Sequence, residues 1–274
     1  MAIKKDSYLK LQRAAKEIRR DAITMVYNSK SGHLGGSLSA ADILAALYFE
    51  VLRHKPKNPD WEKRDRFVLS KGHSAPALYA ALAISGYFSK KLYGEFRVVD
   101  GRLQGHPIKG TVPGIETSTG SLGQGLSVGI GIALSAKLIG ENFKTYVMLG
   151  DGEVAEGQVW EAVAFAAFKK LDNLIVIVDA NGYQTIDSVD KVLSFEPLFL
   201  KFCAFGFNAM EIDGHDFEQI VPAFELAKHS VGKPIVIIAR TIKGKGVSFM
   251  ERGVEFHGKV PNDSEYKSAL RELR

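Results

Sequence analysis

The chain has 274 residues, 46% of them hydrophobic, enough to bury a full core as one large domain or two small ones. Its formal charge of +5 suits an anionic, phosphorylated ligand, but much of the excess sits in Lys4, Lys5, Lys10, Arg13, Lys16, Arg19 and Arg20, which on a helix form a mostly solvated face. Nucleic-acid binding needs a basic patch joined to a recognisable module or to exposed aromatics, and neither is visible; no apolar run approaches the length that crosses a bilayer.

Residues 8–28 read as an amphipathic helix with Leu11, Ala14, Ala15, Ile18, Ala22 and Val26 for one face, and a second helix is expected near 40–52. Apolar strand candidates follow at 66–69, 146–149, 174–178, 208–212 and 234–238, alternating with helical stretches. Nearly continuous apolar strands in that alternation predict an α/β fold, a doubly wound, mostly parallel sheet with helices on both faces. Residues 123–138 differ, because Gly125, Gly129 and Gly131 stand among Leu126, Val128, Ile130, Ile132 and Leu134. A helix buried all round is expected there, its glycines marking close backbone contact with a neighbour such as another subunit. The single cysteine, Cys203, lies among apolar residues and reads as a packed core thiol in a reducing, cytoplasmic setting. The charged N-terminus carries no apolar stretch of signal-peptide length, and no linker or repeat divides the chain, so one soluble domain over 1–274 is expected.

The chemistry gathers at two strand ends. Gly150-Asp151-Gly152 closes the apolar run before it, and about thirty residues later Asn181 closes another, with helical spacing between them at 157–170. In parallel sheets ligands bind beyond the carboxyl ends of the strands, where both residues would sit. One carboxylate and one amide oxygen suit Mg²⁺, which prefers few protein oxygens and fills its octahedron with waters and phosphate. Glycines beside Asp151 let the backbone approach a phosphate closely. Either tripeptide alone is an ordinary turn.

Four of the seven histidines lie in glycine-bearing loops, as Ser31-Gly32-His33, Gly72-His73, Gly105-His106 and His257-Gly258. That pattern is hard to read as core packing. Several imidazoles converging on one cleft can orient sugar hydroxyls and relay protons, although each alone reads as a surface loop or cap.

The Gly-Asp-Gly turn followed by its distant asparagine resembles the signature of thiamine diphosphate enzymes. With Ser31-Gly32-His33, Thr119-Gly120-Ser121-Leu122-Gly123-Gln124-Gly125 and His257-Gly258, almost the whole chain is similar to transketolase. The resemblance implies a single diphosphate-binding domain over 1–274. It also implies Mg²⁺ held by Asp151, Asn181 and the Tyr183 carbonyl, and thiamine diphosphate contacted by the Gly152 N–H, Asn181, His73 and His257. Gly120, Ser121 and Leu122 would pack on the cofactor rings, with Ser121 standing where the family usually has proline. His33, His106 and His257 would contact sugar oxygens and assist proton transfer, with His73 also in the channel, while Glu156 and Glu161 would join a carboxylate network at a subunit boundary. The Lys243-Gly244-Lys245-Gly246 loop matches the family and equally reads as a solvated basic turn.

Full-length transketolases are more than twice this length and carry a pyrimidine-binding glutamate on a further domain. The resemblance is therefore to the N-terminal subunit of a split transketolase, with a separately encoded C-terminal partner in an α2β2 assembly and a place in pentose phosphate metabolism. The rival enzyme readings are the thiamine-binding chain of a 2-oxo acid dehydrogenase and a deoxyxylulose-phosphate synthase; the rival of another class is a non-catalytic module on the same scaffold.

Overall fold

In the computed structural model, which describes residues 3–274, five strands form one wholly parallel sheet in the order β1-β2-β3-β5-β4. The strands are β1 (Arg66–Leu69), β2 (Thr145–Gly150), β3 (Leu174–Ala180), β4 (Asn208–Asp213) and β5 (Ile235–Arg240). Each matches an expected run to within a residue or two. Residues 1 and 2, at the head of the domain expected over 1–274, lie outside the described residues.

Ten α-helices connect and cover these strands: α1 (Lys5–Ser29), α2 (Gly35–Ser39), α3 (Ala41–Ala46), α4 (Ala75–Ser85), α5 (Gln124–Leu138), α6 (Gly157–Phe168), α7 (Val189–Val192), α8 (Leu198–Ala204), α9 (Phe217–Lys228) and α10 (Asp263–Glu272). The helix expected near 40–52 is α3 continued by a π-helical turn over Leu47–Val51, and the short α2 before it was not foreseen. Side chains alternate across the central strands. Tyr146, Met148, Ile175, Ile177, Ile235 and Ile237 pack under α1, α3, α4 and α9, whereas Val147, Leu149, Val176, Val178, Val236 and Ile238 pack under α5, α6 and α8. Two cores on one sheet explain why β2, β3 and β5 are almost continuously apolar, since neither face meets water there, whereas the edge strand β4 is partly exposed.

Two sequence expectations fail, and both failures follow from helix geometry. The α5 helix is buried along one stripe only, Gly125, Leu126, Gly129, Ile130, Ala133 and Ala136, while Val128 is 40% and Leu138 77% exposed. Its glycines serve contacts within the chain. A Cβ on Gly129 would lie 2.3 Å from Val147 Cγ2 and one on Gly125 2.5 Å from Ser70 Oγ, whereas one on Gly131 would meet nothing within 4 Å. Cys203 is exposed because Leu198 and Phe202, one helical turn apart, take the inward face of α8 and rotate the thiol outward.

A valine at Gly129 must therefore displace α5 from β2, and Gly129→Val is expected to lower unfolding free energy by about 1–3 kcal/mol, an overpacking cost. Gly131→Ala is expected to leave it unchanged or raise it by up to about 1 kcal/mol through helix propensity. Urea unfolding of the isolated chain checks both, and equal effects would contradict this packing.

Candidate functional site

Parallel pairing in register, Gly150 opposite Asp179, brings the ends of β2 and β3 out at one level. Asp151 and Asn181, the next residues or nearly so, then line one cavity of about 210 Å³ with Tyr183, Gly152, Leu122, Glu156, His73 and His257. Both Asp151 and Asn181 are buried. The Asp151 carboxylate accepts from the Gly182 N–H (2.6 Å) and the Gly152 N–H (2.8 Å), so the N–H expected to meet a diphosphate is engaged by its own neighbour. Asn181 Oδ1 accepts from the Tyr183 N–H at 3.2 Å and its amide nitrogen lies 3.5 Å from Asp179 Oδ2. Burial, with the charge of Asp179 adding to it, pushes the Asp151 carboxyl up to about 6.

The histidines do converge. Ring centroids of His33 and His73 are 5.6 Å apart, His33 and His257 5.3 Å, His73 and His257 5.3 Å, and His33 and His106 6.2 Å. Gly120 backs onto the His106 ring, where a Cβ would come within 3.3 Å, and its φ of +152° is one that glycine tolerates. Ser121 is exposed between Gly120 and the cavity-lining Leu122. Burial lowers the pKa of every one of these imidazoles. His33 falls to about 4 with Arg97 contributing, His257 to about 4 with Lys243 contributing, His73 well below its ordinary value with Lys71 contributing, and His106 below its ordinary value with Arg97 contributing. All four are neutral at pH 7, each offering one donor and one acceptor nitrogen.

Glu156 caps the start of α6 without a side-chain hydrogen bond, and both it and Glu161 are exposed on that helix. The helix itself begins later than the Gly-Asp-Gly turn suggested, because a 3₁₀ turn over Glu153–Ala155 intervenes.

Lys71 and Asp179, to which sequence reasoning gave no role, and Lys243, for which a solvated turn was the equal alternative, complete the floor. Lys71, after β1, is fully buried and ion-paired with Asp179, which also accepts from Ser39 Oγ (2.6 Å) and from Thr241 Oγ1. Lys243 is buried rather than solvated, donating to the Gln184 carbonyl (2.6 Å), the Tyr183 carbonyl (3.5 Å) and His257 Nδ1 (3.1 Å). That last bond leaves His257 Nε2 as the protonated nitrogen, 3.3 Å from Thr185 Oγ1. Burial, with Lys71 next, lowers Lys243 to about 8. The available signal was Asp179 itself, a carboxylate inside an apolar strand, which burial permits only with a partner.

The donor set fits a hard cation carrying phosphate. Asp151 supplies one carboxylate, Asn181 an amide oxygen and Tyr183 a carbonyl, and among the described residues there is no group of three or more His, Cys, Asp or Glu able to hold a metal unaided. His33 Nδ1, Ser74 Oγ, Thr119 Oγ1 and Gln184 Nε2 are buried polar atoms lacking hydrogen-bond partners, and all belong to the loops at this end of the sheet. Buried groups of this kind call for a polar ligand.

Comparison with known proteins decides the family. The family model described as "Transketolase, thiamine diphosphate binding domain" matches residues 10–273. The chain belongs to the transketolase family. Thiamine diphosphate is accordingly its cofactor, and the chain is one of an enzyme family of transferases. It is 42% identical over 266 residues to one subunit of the apulose-4-phosphate transketolase of Phocaeicola vulgatus, covering 96% of this chain and 93% of that one. It is 42% identical over 268 residues to a 6-deoxy-6-sulfo-D-fructose transketolase subunit of a Clostridium species, covering 98% of each. The transketolase of Campylobacter jejuni superposes with a TM-score of 0.91 at 38% identity, over 97% of this chain. The chain spans only 43% of that transketolase's length.

Below about pH 6 a cation at Asp151 must displace a proton. Mn²⁺ affinity measured by electron paramagnetic resonance in the presence of thiamine diphosphate is expected to be flat above about pH 7 and to fall about tenfold per pH unit below about pH 6. A profile flat from pH 5 to 8 would show that Asp151 does not hold the cation.

Proposed function

We propose that this chain is the cofactor-binding subunit of a two-chain transketolase, moving a two-carbon ketol unit from a ketose phosphate to an aldose phosphate. The observation that carries this reading is the cluster of four neutral histidines, two of which, His73 and His257, line the cavity that Asp151 and Asn181 share, with His33 packed against both and His106 against His33. The relatives named as subunits, which match this chain nearly end to end, support the two-chain part.

In this reading Asp151, Asn181 and the Tyr183 carbonyl hold Mg²⁺. Gly152, His73, His257 and Lys243 line the cavity on the diphosphate side, where the Lys243 ammonium offsets part of its charge and the two neutral imidazoles offer hydrogen bonds. Gly120, Ser121 and Leu122 back the cofactor rings. Bound thiamine diphosphate supplies a thiazolium carbon that stabilises the electron pair released when a ketose carbon–carbon bond breaks.

The protein's share is orientation and proton handling. In this reading His33, whose Nδ1 has no hydrogen-bond partner within the chain, and His106, its ring 6.2 Å away, each bind a sugar hydroxyl. His257, its Nδ1 already bonded to Lys243, presents Nε2–H as a fixed donor. Low pKa values keep these rings uncharged at neutral pH, so each meets the ligand as a neutral hydrogen-bonding group that orients hydroxyls. In this reading Glu156, which lines the cavity, couples the site to a second one across the subunit boundary.

The cognate C-terminal chain contributes the pyrimidine-binding glutamate and much of the sugar-phosphate site, in an α2β2 complex acting in the cytoplasm on pentose-phosphate-type substrates. Among the described residues no helix is long and apolar enough to cross a membrane.

The purified chain alone is expected to be inactive, and mixing with its partner to give ketol transfer from xylulose 5-phosphate but no turnover of pyruvate; pyruvate decarboxylation would instead favour the oxo acid dehydrogenase reading. In the assembled complex Asp151→Ala is expected to weaken Mg²⁺-dependent cofactor binding by about two orders of magnitude, since it removes the only ionised ligand. Calorimetry of thiamine diphosphate with and without Mg²⁺ measures it, and unchanged affinity would count against the assignment.

A further inference from the structure

Three separate chain segments meet around the cofactor cavity, and one side chain outside the roles above touches all of them. Glu153 is 3% exposed. Its Oε1 accepts from Ser70 Oγ and from the Gly123 N–H (2.8 Å), and its Oε2 accepts from the Gly150 N–H (3.0 Å). Ser70 follows β1 and leads to Lys71-Gly72-His73, Gly123 ends the Gly120–Leu122 stretch, and Gly150 directly precedes Asp151. A carboxylate is the side chain for this place, because an ionised acid is acceptor-only and can satisfy converging donors from three directions.

The same segments are also in backbone contact. A Cβ on Gly72 would come within 3.0 Å of the Gly120 nitrogen, and one on Gly125 within 2.8 Å of Ser70 Cα. Without side chains to space them, these loops take their relative positions from the hydrogen bonds that join them. The nearby cation, Lys71, is spent on Asp179 and on the Gly36 carbonyl (3.0 Å), so the three donors are what hold Glu153.

We propose that Glu153 is a positioning residue for the cofactor, clamping the His73 loop, the Gly120–Leu122 segment and the Asp151 turn at the spacing that thiamine diphosphate requires. Glu153 lines the cavity wall, and its three hydrogen bonds tie the carboxylate to the surrounding segments, so its part is positioning. The inference rests on the thiamine diphosphate reading of the cavity.

Glu153→Gln keeps the shape but turns one acceptor into a donor aimed at a donor. Calorimetric titration of thiamine diphosphate into the assembled complex at saturating Mg²⁺ is expected to give a Kd raised at least about tenfold. Apparent KM values for both sugar phosphates stay within twofold, and excess cofactor restores kcat. A merely structural role would lower kcat with the folded fraction and leave the cofactor Kd of the folded remainder unchanged. Ser70→Ala, which removes one donor and keeps the carboxylate, is expected to raise the Kd by a smaller factor and serves if the first variant does not fold. Hydrogen exchange in the isolated chain reads the clamp without cofactor: the Gly123 and Gly150 amides are expected to exchange faster in Glu153→Gln, with β5 amides unaffected. Cofactor Kd values within twofold of the parent in both variants, or unchanged exchange at both amides, overturn the proposal. Failure of the parent complex to bind thiamine diphosphate would instead remove the reading of the cavity, while the exchange result would still report on the clamp.

Discussion

Everything at this site hangs on the parallel ladder between β2 and β3. Pairing Gly150 with Asp179 makes the two strands end side by side, so that the Gly-Asp-Gly turn and Asn181 emerge at one level although thirty residues separate Asp151 from Asn181 in the chain. The next ladder, with Asp179 opposite Ala239 and Ala180 opposite Arg240, brings Thr241 and then Lys243 to the same rim. On the other side, β1 pairs Leu69 with Met148 and delivers Ser70, Lys71 and His73. A slip of one residue in any ladder would turn the apolar side chains of that strand to the opposite face, so the two cores hold the register and the register holds the site.

Charge is buried at this rim to a degree that the core alone would not tolerate. Lys71 and Asp179 are 1% and 0% exposed, and the desolvation of such a pair is offset only by further bonds, here from Ser39, Thr241 and the Gly36 carbonyl. The ion pair is weak evidence for stability and strong evidence that this end of the sheet is organised for polar chemistry. Around it burial works in opposite directions on acids and bases, lifting Asp151 and lowering Lys243 and the four imidazoles. Each group is displaced toward its neutral form, because burial disfavours the charged one.

Membership of the transketolase family places these features in an enzyme whose solved members continue well beyond the length of this chain. The exposed stripe of α5, with Val128 and Leu138 facing outward, and the outward Phe165 and Phe168 of α6 are apolar surface on the two helices that also carry Leu122 and Glu156 at their beginnings. The expectation that α5 is buried all round came from reading its apolar content without its phase. Val128 and Leu138 face away from this chain's own sheet, while Ile132 and Leu134 lie at the edge of the core.

Local pattern was enough to determine the α/β class, the five strands, the long first helix and the candidate metal ligands, because each is written in contiguous residues: apolar runs of strand length, a 3.6-residue stripe, and a Gly-Asp-Gly turn at the end of a strand. The four histidine loops were legible for the same reason, their glycines standing beside them. Strand order, and therefore which loops share a rim, depended on pairings between residues far apart in sequence, and only the folded sheet decided it. Burial of Lys243, the partnership of Lys71 with Asp179, the outward thiol of Cys203 and the three-way hold of Glu153 belong to that second group. Each depends on what lies across a gap in space, and a charged or polar residue reads identically in sequence whether it meets water or a buried counterpart.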